Sequence, residues 1–319
     1  MDKNFIVLIV AVFIAIGFSS CQKEGIYKPK EKITSIYYAD SNHDKYLSEK
    51  LTWDGKMLST IEHFVVNPIG ELTINYTEKF KYDNKNRIER VEESSDYYIQ
   101  YRYNGNKLEK VELHEGNDIL QYAIIHYNDK KIDKIEFFNY EYDKSNIQKM
   151  SLLPKNIWDK VMPWSDISKS LKSTSMFIIT LELAWDGDNV SKIKSYYTYN
   201  YEFIDYDENT DGYISNICSD YSETVISYTY DDKTNPLYGL RNSVIYAYDG
   251  GIENFSKNNI VSETIIYSRK RTINGGTPVE QTGSYMVNNI ITYEGKVPTE
   301  VITMSSSDNS TTTVFYEYE

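Results

Sequence analysis

A short acidic stretch in the second half of the chain has the spacing of a calcium-binding loop. Asp207, Asn209, Asp211 and Gly212 fit the first half of the pattern D-x-[DN]-x-[DN]-G. Oxygen ligands at alternate positions of such a loop can surround a hard cation. Position twelve, where a bidentate glutamate is expected, is Cys218. The stretch therefore predicts a metal site at Asp207, Asn209 and Asp211, with an enlarged hairpin turn as the alternative.

The other residues that could perform chemistry form no recognised catalytic pattern. No two of the four histidines, His43, His63, His114 and His126, have the spacing of a zinc site. The sequence also has no G-x-S-x-G elbow, no G-x-G-x-x-G fingerprint and no P-loop. Paired carboxylates for glycoside hydrolysis are uninformative in a chain with 47 acidic residues. The sequence favours a protein that is not an enzyme and needs no cofactor.

Aromatic side chains are the other candidates for binding. Trp158 and Trp164 lie outside the repeated pattern described below, so they are candidates for stacking on a ligand such as a glycan, with simple packing of the insertion as the alternative. Trp53 and Trp185 occupy the aromatic position of the repeat and are interpreted as structural.

Charge and cysteine content exclude some classes of partner. The net charge of −13 opposes binding to nucleic acid, because phosphates would be repelled. The only cysteines are Cys21 and Cys218, so a chain in which Cys21 is modified, as described below, cannot form an intramolecular disulfide. We expect Cys218 to pack as a small apolar residue in a strand.

A repeat determines the fold prediction. An aromatic residue is followed by a turn-forming pair, by an aliphatic residue or proline at position +5 and by an aliphatic residue at position +8. The units are WDGKMLSTI from Trp53, YNGNKLEKV from Tyr103, YNDKKIDKI from Tyr127, WDGDNVSKI from Trp185 and YEGKVPTEV from Tyr293, with a one-residue-longer unit YDNKNRIERV from Tyr82. Asp-Gly and Asn-Gly are strong signals of a hairpin turn, so each unit predicts strand, tight turn and strand. With a two-residue loop, Leu108 would share a face with Tyr101 and Val111 would not, unless a bulge changes the alternation.

The N-terminus predicts export and lipidation. Lys3 precedes an apolar stretch at residues 5–18, which is too short to cross a hydrocarbon core of about 30 Å comfortably. The sequence GFSSC that follows resembles the lipobox of bacterial lipoproteins, with Phe18 in place of the usual leucine. This resemblance implies a signal peptide at 1–20 and a lipid on Cys21. The alternatives are a single transmembrane anchor and a secretory signal cleaved elsewhere.

The repeat also supports a family resemblance. FKYDNKNRIERV, from Phe80 to Val91, resembles the YD repeats of Rhs and teneurin-type proteins. With the lipobox and the NPLYGL and FSKNNI stretches, at 235–240 and 255–260, most of the chain is similar to a group of Bacteroidetes lipoproteins of unknown function. The resemblance implies an envelope location and no particular activity.

These observations predict an all-β chain in which antiparallel hairpins form a meander, making one large twisted or curled sheet. After a tether at 21–32, a single domain spans 33–319, with a short helical insertion at about 144–173 and a second insertion at 235–253. The expected function is a non-catalytic lipoprotein of the cell envelope, held in the outer membrane through Cys21, that acts as a binding or scaffold module for a glycan or a protein. The alternatives are a hydrolase that acts on a glycan or another envelope polymer, and a purely structural subunit.

Overall fold

The computed structural model describes residues 27, 29–40, 43–67, 69–139, 160, 177–207, 212–238 and 252–319. These residues form an all-β, antiparallel structure with a 3-10 helix at Ile252–Phe255. No helix among them is both long enough and apolar enough to traverse a bilayer. The strands are β1 (Ile33–Asp40), β2 (His43–Asp54), β3 (Met57–Val66), β4 (Leu72–Tyr82), β5 (Ile88–Glu92), β6 (Tyr97–Asn104), β7 (Lys107–Glu115), β8 (Asp118–Asn128), β9 (Lys131–Asn139), β10 (Phe177–Asp186), β11 (Asn189–Asp207), β12 (Gly212–Thr234), β13 (Asn258–Ile273), β14 (Val279–Glu294), β15 (Val297–Ser305) and β16 (Thr311–Tyr318).

The sheet closes on itself. Each strand pairs with its neighbours in the chain, and β1 pairs with β16 from Ile33 opposite Tyr318 to Asp40 opposite Thr312. The fold is therefore a closed barrel, and the prediction of an open twisted or curled sheet is wrong. Closure pairs the two edge strands that an open meander would leave exposed. The helical insertion predicted at 144–173 lies outside the described residues, apart from Lys160.

A bulge in each hairpin explains the odd +5 and +8 spacing. Tyr101 lies opposite Val111 and Tyr103 lies opposite Leu108, so Glu109 is an extra residue on its strand. The bulge restores the alternation, and Leu108 and Val111 are both buried inside the barrel. The same register shift occurs in the hairpins of Trp53, Tyr127 and Trp185. The sequence pattern allowed a bulge without requiring one, and the structure shows that the bulge is a regular feature of these hairpins.

The aromatic residue of one unit is hydrogen-bonded to the preceding unit. Its hydroxyl or indole N–H donates to the main-chain carbonyl of the aliphatic residue or proline at the earlier +5 position, or at the equivalent position in the longer unit. The bonds run from Tyr82 to Leu58 (2.6 Å), Tyr103 to Ile88 (2.7 Å), Tyr127 to Leu108 (2.9 Å), Trp185 to Ile132 (2.7 Å), Tyr230 to Val190 (2.5 Å) and Tyr318 to Pro298 (2.7 Å). The indole N–H of Trp53 likewise donates to the main-chain carbonyl of Ile33 on β1, at 2.8 Å. This row of aromatic residues, each bonded to the carbonyl of an earlier residue, is called here the aromatic ladder. The ladder lies at the end of the barrel that holds the repeat turns, called here the repeat end.

Cations cover several rings of the aromatic ladder. Arg87, Lys107 and Lys131, each just before a +5-type residue, lie 3.9, 4.7 and 5.2 Å from the ring centroids of Tyr103, Tyr127 and Trp185. Each of these cations also donates to a carbonyl in the turn of the next hairpin, at Gly105, Asp129 and Gly187 respectively. Neighbouring hairpins are therefore joined by side-chain contacts as well as by strand pairing.

The inward face is apolar over much of the wall. Ile99, Leu113, Ile135 and Leu181 are essentially inaccessible to solvent. Barrels of 16–18 strands can leave a water-filled channel of the kind found in porins. The side chains of the wall therefore need not fill the interior of so wide a barrel. Here the packed interior also includes Tyr27 and Phe255, which lie outside the strands. Tyr27 donates to the carbonyl of Pro236 at 2.9 Å, which fixes Tyr27 inside the repeat end.

Candidate functional site

A polar cluster interrupts the apolar interior on β2, β3 and β4. Glu49 lies opposite His63, and His63 lies opposite Tyr76 on the next strand. Two residues along β3, Ile61 lies opposite Glu78. Because side chains alternate along a strand, these residues share the inward face with the buried Ile61. The cluster therefore points into the barrel.

His63 lies between two carboxylates. Its Nε2 is 2.5 Å from Oε1 of Glu78, and its Nδ1 is 3.8 Å from Oε1 of Glu49. The ring of Tyr76 stacks on the imidazole with a centroid distance of 4.3 Å. If both carboxylates are ionised, a protonated His63 compensates one of them.

Two buried oxygens beside this cluster have no hydrogen-bond partner among the described residues. They are Oε2 of Glu78, a residue with 0% exposure, and the hydroxyl of Tyr101, with 2% exposure. Burial raises the pKa of Tyr101 well above its ordinary value, and the nearby Tyr103 and the charge of Glu78 raise that pKa further. Buried polar atoms in native proteins are usually satisfied by protein, water or ligand. Each of the two oxygens can therefore accept a hydrogen bond from a polar group.

The cluster lies at the border of the tightly packed part of the interior. The side chains of Glu49 and His63 are 13% and 12% exposed, so one side of the cluster reaches solvent. Beyond Glu49, the inward residues Ile36 and Tyr38 of β1 are only half-buried.

The interior contains a second group of charged residues, on β12 and β13. Asp220 and Arg271 form two hydrogen bonds of 2.8 Å on the inward face. Nζ of Lys160 lies 2.5 Å from Oε2 of Glu263, with side-chain exposures of 12% and 5%. Lys160 lies between β9 and β10 in the chain, and its ammonium group is brought to a wall carboxylate.

The outward face carries ion pairs along many strands. They include Lys81–Glu92 (2.6 Å), Arg102–Glu112 (3.1 Å), Lys134–Glu136 (3.1 Å), Lys194–Glu223 (3.2 Å) and Lys270–Glu280 (2.8 Å). Burial acts to raise the pKa of Glu112, but hydrogen bonds from Lys110, Arg102 and His114 outweigh it and lower that pKa below its ordinary value. Outward aliphatic residues such as Ile266, Met286 and Ile290 lie on β13 and β14, beside polar neighbours.

The sites predicted from sequence fall mostly outside the described residues. These are Cys21, Trp158, Trp164, Asn209 and Asp211, and for Asp207 only the main chain, at the end of β11, is described. The metal site therefore remains a prediction. Among the described residues, no three His, Cys, Asp or Glu side chains are placed to hold a metal ion. Cys218 is buried in β12, which confirms its predicted structural role.

Sequence reasoning missed the cluster because it compared the spacing of histidines only with that of zinc sites. A usable signal was present in β4, where Tyr76, Glu78, Phe80 and Tyr82 alternate on one face. An acidic residue on a face that is otherwise aromatic indicates a buried charge with a specific partner.

Comparisons with known proteins identify no family. No family model matches the chain, and no curated protein matches it. A porin-like protein from Bacteroides vulgatus ATCC 8482 aligns over 90% of this chain and 98% of its own, with 8% identity and a TM-score of 0.36. The structure of TcdB2-TccC3-TEV aligns over 83% of this chain with 12% identity and a TM-score of 0.21, and the match spans 16% of that longer chain. At these TM-scores neither likeness bears on function. The resemblance to YD-repeat proteins and to envelope lipoproteins remains a prediction.

Proposed function

We propose that this chain is a non-catalytic binding lipoprotein of the cell envelope, anchored in the outer membrane through a lipid on Cys21. The observation that carries the proposal is the arrangement of polarity in the barrel. Ion pairs occupy outward positions along many strands, whereas the inward face is largely apolar. A membrane-spanning barrel has the opposite arrangement, with an apolar outer band about 25 Å tall and a polar interior. The described body therefore suits water and requires a separate anchor.

The proposed anchor also gives the barrel an orientation. Tyr27 is fixed inside the repeat end and is the sixth residue after Cys21. A chain of that length spans at most about 20 Å. The repeat end then faces the membrane, and the opposite end points away from it. Exposed aliphatic residues of the β3–β4 hairpin, including Ile69 and Leu72, lie at the opposite end.

Fractionation of cells tests the anchor. The natural chain should partition with outer membranes and require detergent for release, because acyl chains bury methylene groups at about 0.8 kcal/mol each. A chain whose first 21 residues are replaced by an ordinary cleavable secretory signal should be soluble. Recovery of that second chain in membranes after an alkaline carbonate wash would show an inserted barrel and would contradict the proposal.

A binding assay tests the non-catalytic role. Protein lacking residues 1–21 is incubated with panels of glycans and peptides, and both binding and the mass of each panel member are measured. We expect binding without any change of mass. The appearance of cleavage products would instead favour a hydrolase, for which the described residues supply no specific observation.

A further inference from the structure

We propose that the β3–β4 hairpin carries an open strand edge, which binds an extended peptide segment of a partner protein by adding it to the barrel wall as a further strand. This inference rests on the proposed binding function and assigns the class of partner. The pairing of β4 with β5 ends at Lys79 opposite Glu92, whereas β4 itself begins at Leu72. Among the described residues, 72–78 therefore have no strand on the β5 side, and this stretch is called here the free edge.

The neighbouring strands end beside the base of the free edge. β5 turns into β6 through residues 93–96, where the N–H of Glu93 donates to the carbonyl of Tyr97 at 3.1 Å. At a rise of about 3.3 Å per residue, β4 continues for about 20 Å beyond its last pair with β5. On the other side, the described pairing of β3 with β2 ends at His63 opposite Glu49. The β3–β4 hairpin therefore projects beyond both of its neighbours at the end of the barrel opposite the repeat end.

The main-chain groups of Leu72 and Ile74 point toward the free edge. The N–H of Asn67 donates to the carbonyl of Glu71 at 2.8 Å, so these two residues form a hydrogen-bonded position at the start of the hairpin. Hydrogen-bonded and non-hydrogen-bonded pairs alternate along antiparallel strands. Leu72 and Ile74 therefore belong to non-hydrogen-bonded pairs with β3, and their N–H and C=O groups point away from it. An edge with such groups is a template for another strand.

The side chains of the free edge are apolar and exposed. Ile74 lies opposite Phe64, which follows the inward-facing His63, so Ile74 and Leu72 lie on the outward face. They are 53% and 43% exposed. A register shift leaves Asn75 as an extra residue, so we expect the added strand to pair with Leu72 and Ile74 on the side of the hairpin tip. Aliphatic residues opposite these two would pack against them.

Charge defines the ends of the partner segment. Residues 72–77 contain no charged residue and no proline, although lysine and proline are common protections of natural strand edges. Glu71 toward the hairpin tip and Asp96 in the β5–β6 turn are acidic and exposed. The segment that fits is therefore uncharged and aliphatic at alternate positions in its middle, with lysine or arginine at its ends.

A second copy of this chain fits the free edge less well than a foreign peptide. Antiparallel pairing of the edge with itself follows a two-fold axis and points the two barrels in opposite directions. Copies that are anchored in one membrane point in the same direction. The net charge of −13 on each copy also opposes their contact.

Peptides with methylated amides test the strand pairing. Protein lacking residues 1–21 is titrated by calorimetry with a seven-residue peptide that has lysine at both ends and alternates valine and threonine between them, starting and ending with valine. Valines opposite Leu72 and Ile74 would direct their N–H groups to β4, and the threonine N–H groups would point away. We expect methylation of the valine amides to weaken binding at least about tenfold, and methylation of the threonine amides to change it less than about twofold. Replacement of both lysines by glutamate should weaken binding about threefold or more at low salt.

Matched substitutions locate the site on the protein. Ile74→Lys places a charge on the free edge and should weaken binding of the peptide at least about tenfold. Ile266→Lys should leave binding unchanged, because Ile266 is similarly exposed, at 55%, but lies on a strand that is paired on both sides. Near-ultraviolet circular dichroism verifies that both variants are folded. In the natural chain, bound peptide should slow hydrogen exchange at the amides of Leu72 and Ile74 but not at Thr73, which pairs with β3.

The outcomes separate this proposal from the broader function. If the peptide does not bind, or if the two methylated peptides bind equally well, the free edge adds no strand and the inference is wrong. Binding that persists in folded Ile74→Lys protein places the peptide elsewhere and also overturns it. Self-association of the natural chain that Ile74→Lys abolishes would assign the edge to a second copy instead. The proposed binding function survives each of these results if the glycan and peptide panel still yields a ligand.

Discussion

The hydroxyl of Tyr103 donates a hydrogen bond to the main-chain carbonyl of Ile88, 2.7 Å away, and the guanidinium of Arg87 covers the same ring at 3.9 Å. Arg87 and Ile88 belong to one repeat unit and Tyr103 to the next. A single aromatic side chain thus binds two successive hairpins at the repeat end. Isolated hairpins are marginally stable in water, so contacts between units are needed to hold the barrel together.

Replacement of this tyrosine tests the aromatic ladder. Tyr103→Phe keeps the ring but leaves the Ile88 carbonyl without its donor, so we expect the free energy of unfolding to fall by about 1 kcal/mol. Tyr196→Phe is the matched control, because Tyr196 is bonded to Glu182 on the exposed face. That control should change stability by less than about 0.5 kcal/mol. Equal effects of the two variants in urea unfolding would show that the bond to Ile88 has no special role.

The turn of the same repeat unit depends on a left-handed backbone. Gly105 has φ +61°, and a Cβ built there would meet no atom within 4 Å. The cost of Gly105→Ala is therefore one of backbone conformation, which we expect to be about 1–2 kcal/mol. Asn106→Ala, at the exposed neighbouring turn position, should lie within about 0.5 kcal/mol of the natural chain. Urea unfolding of both variants measures the difference, and a neutral Gly105→Ala would contradict the explanation.

The hairpins, which are the local part of the fold, could be predicted from the sequence. The turn residues at 55, 105 and 187 and the aliphatic residues at +5 and +8 predict hairpins, and those hairpins are present. Closure could not be predicted, because it joins Ile33 to Tyr318 and periodicity describes only neighbouring segments. An open meander and a closed barrel have the same local pattern. The difference depends on the summed twist and stagger of all the strands.

The candidate site was harder to predict than the hairpins. His63 and Glu78 are 15 residues apart on adjacent strands, and their contact depends on a register shift between His63 and Phe64. Tyr101, whose pKa is raised by burial and further by Tyr103 and by the charge of Glu78, lies on β6, which the sequence does not connect with β3. Knowledge of the bulges is thus required before the inward charges can be assigned to one cluster.

Replacement of Gly283 on β14 tests how tightly the inward face is packed at β13. A Cβ on Gly283 would lie 2.3 Å from the hydroxyl oxygen of Tyr267, whose ring lies 4.3 Å from the guanidinium carbon of Arg269. Gly283→Ala forces the ring to turn, so we expect it to cost about 1–3 kcal/mol. In a Tyr267→Ala background the same change should cost less than about 0.5 kcal/mol, because the obstructing ring is gone. A double-mutant cycle in urea measures this coupling, and a cost that persists without the ring would locate the strain elsewhere.

Glu112 makes the stability of the barrel sensitive to acid. Burial opposes ionisation of this carboxyl, but bonds from Lys110, Arg102 and His114 lower its pKa in the folded chain below the ordinary value. A carboxyl with a lowered folded pKa stabilises the folded state above its unfolded pKa, and this stabilisation is lost as pH falls through the folded pKa. The natural chain should therefore lose stability as the pH is lowered from about 5 to 3, and Glu112→Gln should lose less over the same interval.

Urea midpoints at several pH values measure the acid effect. At pH 7 the Glu112→Gln variant should be less stable than the natural chain, and the two curves should converge as the carboxyl of the natural chain becomes protonated. Glu109→Gln is the matched control, because Glu109 is exposed at the bulge of the same strand. Its pH dependence should follow that of the natural chain. Parallel curves for Glu112→Gln and the natural chain would mean that the ion-pair network around Glu112 does not stabilise the folded barrel, because ionisation of that carboxyl would then have the same effect on both states.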